Sequence, residues 1–390
     1  MPVAVDMSDD TAQLAGGLLE GQLREAAEDI AVLRQARLEL DKPEEAARTA
    51  YESLNWRDLS QEEQPFCSPL LLLGNDDVLG GKGFSGISRL LSGDLPVKIM
   101  LLADLDLNLG TANVAGTPMA VASNTKVNPG LLALSQRNAY IAQTSIAETT
   151  HFLDSVKAAF EFAGPALIYI HVPSPERHGF AQDQTFTHAG LAVKSRVFPL
   201  FRYDPEREGV FGKRFSLEGN PNPNELWSQA EEEIMTPVDW AVREQRFAPY
   251  FSPLQSDDPS PLPVAEYLKL EASARRKKTP FVTSIISEPS SANSSEPIRL
   301  RLKVEPALVA ASEECLQTWR TLQELAGLVT PFTTEVEAKL KQELTDGHQA
   351  ELAALKQEYE ARIEKIRAEM ETEMAAHVKS QLMGLAGYRN

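Results

Sequence analysis

The sequence predicts an α/β fold, with a mostly parallel open sheet and helices on both of its faces. Two observations support this fold class. Between residues 68 and 203, short apolar runs alternate with stretches of helical pattern, as strands and crossover helices do in a parallel sheet. The runs are apolar throughout, as expected of strands that are covered on both faces. The apolar runs are 69–73, 97–103, 140–146, 166–172 and 197–203, and the helical stretches are 84–91, 147–162 and 186–194.

Helices are expected before this region, in an N-terminal segment that spans residues 1–66. Ser8-Asp9-Asp10 supplies groups that cap helices. The apolar positions that follow recur at helical spacing. They are Leu14, Leu18, Leu19 and Leu23, with Leu33, Leu38 and Leu40 in a second, more polar stretch.

Less regular structure is expected at the end of the α/β domain, which we place at residues 67–250. Residues 204–262 are rich in Pro, Asn and Asp, with helical islands around 227–233 and 238–246. Residues 251–263 are expected to form a linker. A small accessory unit at 264–330 follows, and it contains the polar loop 287–297.

Residues 331–390 are predicted to form a long coiled-coil helix. Its apolar positions repeat every eleven residues, which gives about 3.67 residues per turn and suits a nearly straight or slightly right-handed coil. These positions are Leu344, Leu352, Leu355, Tyr359, Ile363, Ile366, Met370 and Met374, with His348 in the same row. A long apolar row should be buried, so we expect a homo-oligomer or a partner subunit to bind through 334–382. A lone exposed helix is the alternative.

Composition narrows the classes of partner and compartment. A net charge of −18 disfavours nucleic acid and anionic membranes as partners. The two cysteines, Cys67 and Cys315, form no CxxC pair, so an iron–sulfur cluster or a structural zinc site within this chain is not expected. No secretory signal or membrane-spanning stretch is visible, and a cytoplasmic location is therefore expected.

Acidic side chains follow two successive predicted strands. Asp76 comes after the first strand, and Asp104, Asp106 and Asn108 come after the second. Ligands of open parallel sheets collect at the carboxyl ends of the strands, and carboxylate and amide oxygens suit magnesium. From spacing alone, these acids could equally cap a loop and a helix.

A dinucleotide fingerprint, Gly81-x-Gly83-x-x-Gly86, overlaps this region. Residues 74–80 separate it from the strand, where that motif needs a tight turn, and the following helix is short. The fingerprint is therefore disfavoured.

Several stretches resemble one known family in their order along the chain. Asn75-Asp76-Asp77, the stretch 84–93 and the strand and loop 97–111 come first. Gly164-Pro165-Ala166-Leu167-Ile168, His171-Val172-Pro173-Ser174 and the run 198–205 follow. They are similar to the Gly-Asp-Gly motif, the Gly-Pro-Ser-Leu-Ile strand, the Ala-Pro-Cys loop and the Trp-Pro-Leu-Tyr-Arg-Tyr-Asn-Pro run of the pyruvate:ferredoxin oxidoreductases. Over residues 8–250 the chain thus resembles the C-terminal, thiamine-diphosphate-binding region of the 2-oxoacid:acceptor oxidoreductases.

The resemblance implies a cofactor site made of thiamine diphosphate and magnesium. It assigns the metal to Asp76, Asp104 and Asp106, and the cofactor to Gly74, Asn75, Asn108, Gly110 and Thr111. The chain departs from the family where Asn75 and Asp77 replace two glycines and where Ser174 replaces the cysteine that binds an iron–sulfur cluster. The other cluster ligands of the family lie upstream of the matched region.

Two functional hypotheses remain open at this point. The chain is either a thiamine-diphosphate-binding part of a 2-oxoacid oxidoreductase, inactive alone and completed by a chain that carries the missing half, or a catalytically dead scaffold that oligomerises through its coiled coil. No catalytic residue can be assigned from the sequence.

Overall fold

The structure is a computed structural model that describes residues 3–4, 9–46, 54–60, 62–80, 83–110, 128–227, 229–230, 233–286 and 298–385. The chain divides into two compact units, residues 1–328 and 329–390. Within the described residues, no helix is both long and apolar enough to cross a bilayer.

A seven-stranded sheet forms the centre of the first unit. Its spatial order is β1-β2-β3-β5-β4-β6-β7, in which the first five strands are parallel and β6 and β7 are antiparallel to their preceding neighbours. The strands are β1 (Val3–Ala4), β2 (Leu70–Asn75), β3 (Val97–Ala103), β4 (Tyr140–Ser145), β5 (Ala166–His171), β6 (Phe201–Tyr203) and β7 (Phe215–Ser216). The predicted α/β class with a mostly parallel sheet is confirmed.

Helices cover both faces of this sheet. Alternate residues of one strand enter different hydrophobic clusters: Leu167 and Tyr169 pack in one, Ile168 and Ile170 in the other. The helices before the accessory region are α1 (Asp9–Asp41), α2 (Pro43–Ala46), α3 (Gly83–Ser92), α4 (Pro129–Leu134), α5 (Thr149–Glu161), α6 (Pro175–His178), α7 (Thr185–Lys194), α8 (Phe211–Arg214) and α9 (Pro237–Ala241). The side chains of the sheet are therefore dry on both sides, as the apolar runs predicted.

The predicted N-terminal helix is present, but its buried face differs from the expected one. Leu19 and Leu23 are buried, whereas Leu14 and Leu18 are 64% and 58% exposed. Small residues such as Ala12 and Ala15 complete the buried face and let α1 lie close to α3.

The helical island expected at residues 227–233 was wrong. In its place, β8 (Gln229–Ala230) and β9 (Glu233–Ile234) form a two-stranded antiparallel sheet. The second expected island, 238–246, is divided between α9 and a 3₁₀ turn at Gln245–Tyr250.

The expected linker contributes strands to a second sheet, and this part of the expectation needs correction. Its order is β10-β13-β12-β11, with both edge strands from residues 251–263. Proline lacks an N–H and is tolerated in edge strands, which explains why a Pro-rich segment can still pair. The strands are β10 (Phe251–Pro253), β11 (Pro261–Pro263), β12 (Thr279–Ile286) and β13 (Ile298–Val304), accompanied by helices α10 (Val264–Tyr267), α11 (Ala272–Arg275) and α12 (Pro306–Leu325). The polar loop expected at 287–297 lies outside the described residues.

The second unit contains one described element, the helix α13 (Pro331–Leu385). The predicted long helix is thus present, and it extends over 55 residues. The apolar side chains named in the sequence are all about half exposed or more, from 48% at Ile366 to 65% at Met374.

Candidate functional site

The acids predicted to bind a metal lie at the carboxyl edge of the large sheet. Asp76 follows β2, and Asp104 follows the adjacent strand β3. The backbone N–H of Asp104 donates to Oδ2 of Asp76 over 3.1 Å. The two positions are thus neighbours, as the strand-end rule predicts.

Asp76 is fastened to the floor of this edge. Its side chain is buried, and its Oδ2 also accepts a hydrogen bond from the hydroxyl of Tyr169, on β5, over 2.8 Å. Burial and the charge of Asp76 raise the pKa of Tyr169 well above its ordinary value, so the hydroxyl keeps its proton and remains a donor.

Both carboxylate oxygens of Asp104 are held by cations of the same chain. Oδ1 accepts from Nη1 of Arg246 at 2.6 Å and lies 3.2 Å from Nε2 of His178, and Oδ2 accepts from Nη2 of Arg177 at 2.7 Å. Arg246 also donates from Nη2 to the carbonyl oxygen of Leu105 over 2.8 Å. The Arg246 side chain is only 4% exposed, whereas that of Arg177 is 59% exposed.

A second buried carboxylate, Glu244, completes the group. Its Oε2 accepts from Nε of Arg246 at 2.5 Å, and its Oε1 lies 2.7 Å from Nε2 of His188 and 3.4 Å from Nδ1 of His178. Arg246 and His178 therefore each bridge the two acids. We call the six residues Asp104, Arg177, His178, His188, Glu244 and Arg246 the ion-pair cluster.

The pKa values within the cluster follow from these contacts. Burial would raise the pKa of Asp104, but the hydrogen bond from His178 and the charges of Arg246 and Arg177 outweigh it and leave that pKa well below its usual range. For Glu244 the same competition, with hydrogen bonds from His178 and His188, brings the pKa down to about 2. Burial lowers the pKa of His178, yet its hydrogen bonds to the two acids raise it above its ordinary value overall. Both acids are thus ionised around neutral pH, and the cluster neutralises them internally.

The loop after β3 is shaped by its own backbone. Oδ1 of Asp106 accepts from the N–H of Asn108 over 3.1 Å, and Leu107 and Asn108 have φ values of 56° and 53°. The carbonyl oxygen of Gly110 accepts from the hydroxyl of Tyr250 at 2.7 Å. Asp106 thus serves the loop as a capping acid, the role that spacing alone had left open.

The remaining predicted positions are placed as follows. Gly74 and Asn75 lie within β2, where they pair with Leu101 and Leu102 of β3. Thr111 lies outside the described residues. Ser174, at the position of the family's cluster cysteine, is the N-cap of α6, and its Oγ accepts from the N–H of Arg177. This serine therefore helps to position one cation of the ion-pair cluster.

A cavity of about 320 Å³ adjoins the edge. Side chains from the strand ends and from α12 line it, and several of them are carboxylates. They include Asp104, Asp106, Tyr169, Glu314 and Cys315, whose thiol is kept neutral because burial raises its pKa to about 12. Neither arginine of the cluster lines this cavity. Its charged lining would repel a diphosphate in the absence of a cation.

The donor set does not fit a magnesium ion as these side chains stand. Magnesium requires oxygen ligands in a near-octahedral arrangement, and both oxygens of Asp104 already carry charged hydrogen bonds. A divalent cation beside Arg246 and Arg177 would also be repelled by two positive charges. Among the residues that the structure describes, no group of three or more His, Cys, Asp and Glu side chains is arranged to hold a metal.

Sequence reasoning found the two strand-end acids but missed their partners. Arg246 is 142 residues from Asp104 along the chain, and Glu244 lies in a segment that we expected to be helical. His178 and His188 were noted only for lacking a metal-ligand spacing. The one local signal was the short Glu-x-Arg sequence at 244–246, which does not indicate a site by itself.

Comparison with known proteins places this architecture in context. No protein-family model matches the chain. A pyruvate-flavodoxin oxidoreductase of Rhodospirillum rubrum is 25% identical over 160 residues, which cover 38% of this chain and 13% of that protein. The pyruvate synthase subunit PorB of Methanosarcina barkeri is 27% identical over 138 residues, or 32% of this chain and 45% of the subunit.

A third relative is the ketoisovalerate oxidoreductase subunit VorB of Pyrococcus abyssi. It is 30% identical over 111 residues, which cover 28% of this chain and 36% of the subunit. The chain therefore spans less than half the length of each of these three relatives.

A solved structure of a 2-oxoglutarate:ferredoxin oxidoreductase from Magnetococcus marinus, with 2-oxoglutarate, coenzyme A and succinyl-CoA bound, is also similar. It is 18% identical, covers 31% of this chain and 45% of that one, and superposes with a TM-score of 0.24. That score is low, so the family relation rests on the sequence relatives. The part of this chain that aligns with them is a divergent region of the 2-oxoacid:acceptor oxidoreductase family.

Proposed function

We propose that this chain is a structural, non-catalytic subunit of a 2-oxoacid oxidoreductase-type assembly. The observation that carries the proposal is the state of Asp104. Arg246, Arg177 and His178 hold both oxygens of the carboxylate that the family resemblance assigns to magnesium. The edge of the sheet is thus closed by the chain's own charges.

Two further observations support this function. The cavity beside the cluster is lined by carboxylates, which disfavours a diphosphate without a metal. Ser174 caps α6 and orients the Arg177 backbone, so the position of a cluster cysteine now serves the fold. In this proposal the α/β domain provides a rigid body, α13 joins it to another chain, and a separate chain carries the redox centres.

Titration calorimetry of thiamine diphosphate into the full chain tests the proposal. We expect no binding heat with magnesium and none with EDTA, because no open ligand position exists on Asp104. An authentic 2-oxoacid oxidoreductase, stripped of its cofactor, serves as the positive control. Magnesium-dependent binding in the micromolar range would overturn the structural assignment.

Thiamine diphosphate–magnesium binding is the second candidate. It is favoured by the adjacency of Asp76 and Asp104, joined by a 3.1 Å hydrogen bond at the predicted edge. It requires Arg246 to leave Asp104. If magnesium-dependent heat is observed, Asp76→Ala should abolish it, and binding that survives this change would place the cofactor elsewhere.

A further inference from the structure

The apolar row on α13 is longer than the sequence repeat first indicated. Four more exposed apolar residues extend it in both directions, namely Val336, Leu340, Val378 and Leu382. We call the thirteen positions the α13 stripe. They are Val336, Leu340, Leu344, His348, Leu352, Leu355, Tyr359, Ile363, Ile366, Met370, Met374, Val378 and Leu382.

The spacing of the α13 stripe reads the same in both directions. From Val336 to Leu382 the steps are four, four, four, four, three, four, four, three, four, four, four, four. The centre of this palindrome is Tyr359. Every stripe position therefore has a counterpart at the same distance on the other side of Tyr359.

A palindromic stripe is complementary to itself when two helices run in opposite directions. With a two-fold axis at Tyr359, each position of one helix meets its counterpart on the second copy, as a closed two-fold interface requires. The resulting layers are Leu355 with Ile363, Leu352 with Ile366, His348 with Met370, Leu344 with Met374, Leu340 with Val378 and Val336 with Leu382. Each layer contains an apolar side chain from at least one helix.

The single polar member of the stripe favours the antiparallel arrangement. In a parallel pair, His348 would face His348 of the other copy, and two imidazoles would share one apolar layer. In the antiparallel pair, each His348 faces Met370, whose thioether packs adaptably against aromatic rings. The parallel pair also makes no use of the palindrome.

The stripe is large enough for a stable pair. Its twelve apolar side chains are 48% to 65% exposed, and no other described element of the second unit covers them. Burying such a side chain removes on the order of 80 Å² from water. Twelve of them approach the roughly 800 Å² per partner found in specific interfaces.

We infer that α13 pairs with α13 of a second copy of this chain, antiparallel and in register about Tyr359. This deepens the assembly role in the proposed function but does not depend on the cofactor edge. The calorimetry and the helix experiment below can therefore fail independently.

Cysteine cross-linking of the full chain tests both the pairing and its direction. The background carries Cys67→Ser, because Cys67 is partly exposed, and a short bismaleimide serves as the cross-linker. Tyr359→Cys should give a covalent dimer. Leu344→Cys alone should give none, because its counterpart Met374 lies 30 residues along the helix, or about 45 Å away. A mixture of Leu344→Cys and Met374→Cys chains, exchanged before the reagent is added, should cross-link.

The alternative arrangements give different patterns. Cross-linking of Leu344→Cys with itself would show a parallel pair and overturn the inference. Absence of cross-linking at Tyr359→Cys, together with a monomer in sedimentation, would show that the stripe is not covered by a second copy. These positions lie on the exposed face of a helix, so circular dichroism should verify unchanged helix content in each variant.

Discussion

The two arginines that bind Asp104 are the most informative pair of single residues. They bind opposite oxygens of one carboxylate at 2.6 and 2.7 Å, but one is 4% exposed and the other 59% exposed. An exposed ion pair gains little because water competes for its charges, whereas a buried charge that loses its partner keeps its full desolvation cost. Arg246 should therefore stabilise the fold far more than Arg177 does.

Replacing each arginine by methionine measures this difference. Arg246→Met leaves Asp104 and Glu244 with fewer partners, and we expect a loss of about 3–5 kcal/mol in the free energy of unfolding. Arg177→Met, the matched control, should cost about 0–1 kcal/mol. Urea denaturation followed by tryptophan fluorescence is the measurement. Equal losses would contradict the role given to Arg246 at the centre of the cluster.

At this scale the sequence predicted positions better than contacts. Asp76 and Asp104 could be placed at one edge because strand ends in a parallel sheet converge. The partners of Asp104 could not, because Arg246 reaches it across 142 residues of chain. The pattern of a sequence reports local periodicity, and it holds no comparable signal for an ion pair that only tertiary folding creates.

Among the secondary-structure elements, α1 shows how a helix can be predicted correctly and its face wrongly. The pattern gave weight to Leu14 and Leu18, yet alanines together with Leu19 and Leu23 form the buried face. Alanine contributes little to hydrophobic periodicity, although it allows two helices to approach closely. The contact of α1 with α3 was therefore not visible in the apolar spacing.

Neighbouring leucines of α1 provide a matched test of this face. Leu19→Ala removes a fully buried side chain and should destabilise the fold by about 2–5 kcal/mol, since it leaves a cavity. Leu18→Ala, at a position 58% exposed, should change stability by less than about 0.5 kcal/mol. Thermal or urea unfolding of the two variants decides the matter. A larger loss at Leu18 would mean that the exposed side of α1 is covered.

Strands were predictable to different degrees for a physical reason. β3 begins and ends where its apolar run does, because a strand covered on both faces must be apolar throughout. The edge strands β10 and β11 were assigned to a linker because they are short and contain proline. Edge strands bury less and tolerate such residues, so their composition resembles that of a loop.

For the whole molecule, the division into residues 1–328 and 329–390 has a direct experimental consequence. A chain that ends at Leu328 retains the complete α/β sheet and the β10–β13 sheet. We expect it to keep the cooperative thermal transition of the first unit and to sediment as a monomer, while the full chain sediments as a dimer. Loss of the transition in the shortened chain would show that α13 is required for folding, and a dimer of the shortened chain would place the interface elsewhere.

The ion-pair cluster also determines when the protein is finished. An enzyme that depends on a diphosphate and a metal must acquire both after synthesis, and its maturation follows their supply. Here the charges that close the edge of the sheet are encoded in the polypeptide and are in place once folding ends. Such a subunit would reach its final form in a thiamine-starved cell or in the presence of a chelator, and it could enter its assembly before any cofactor does.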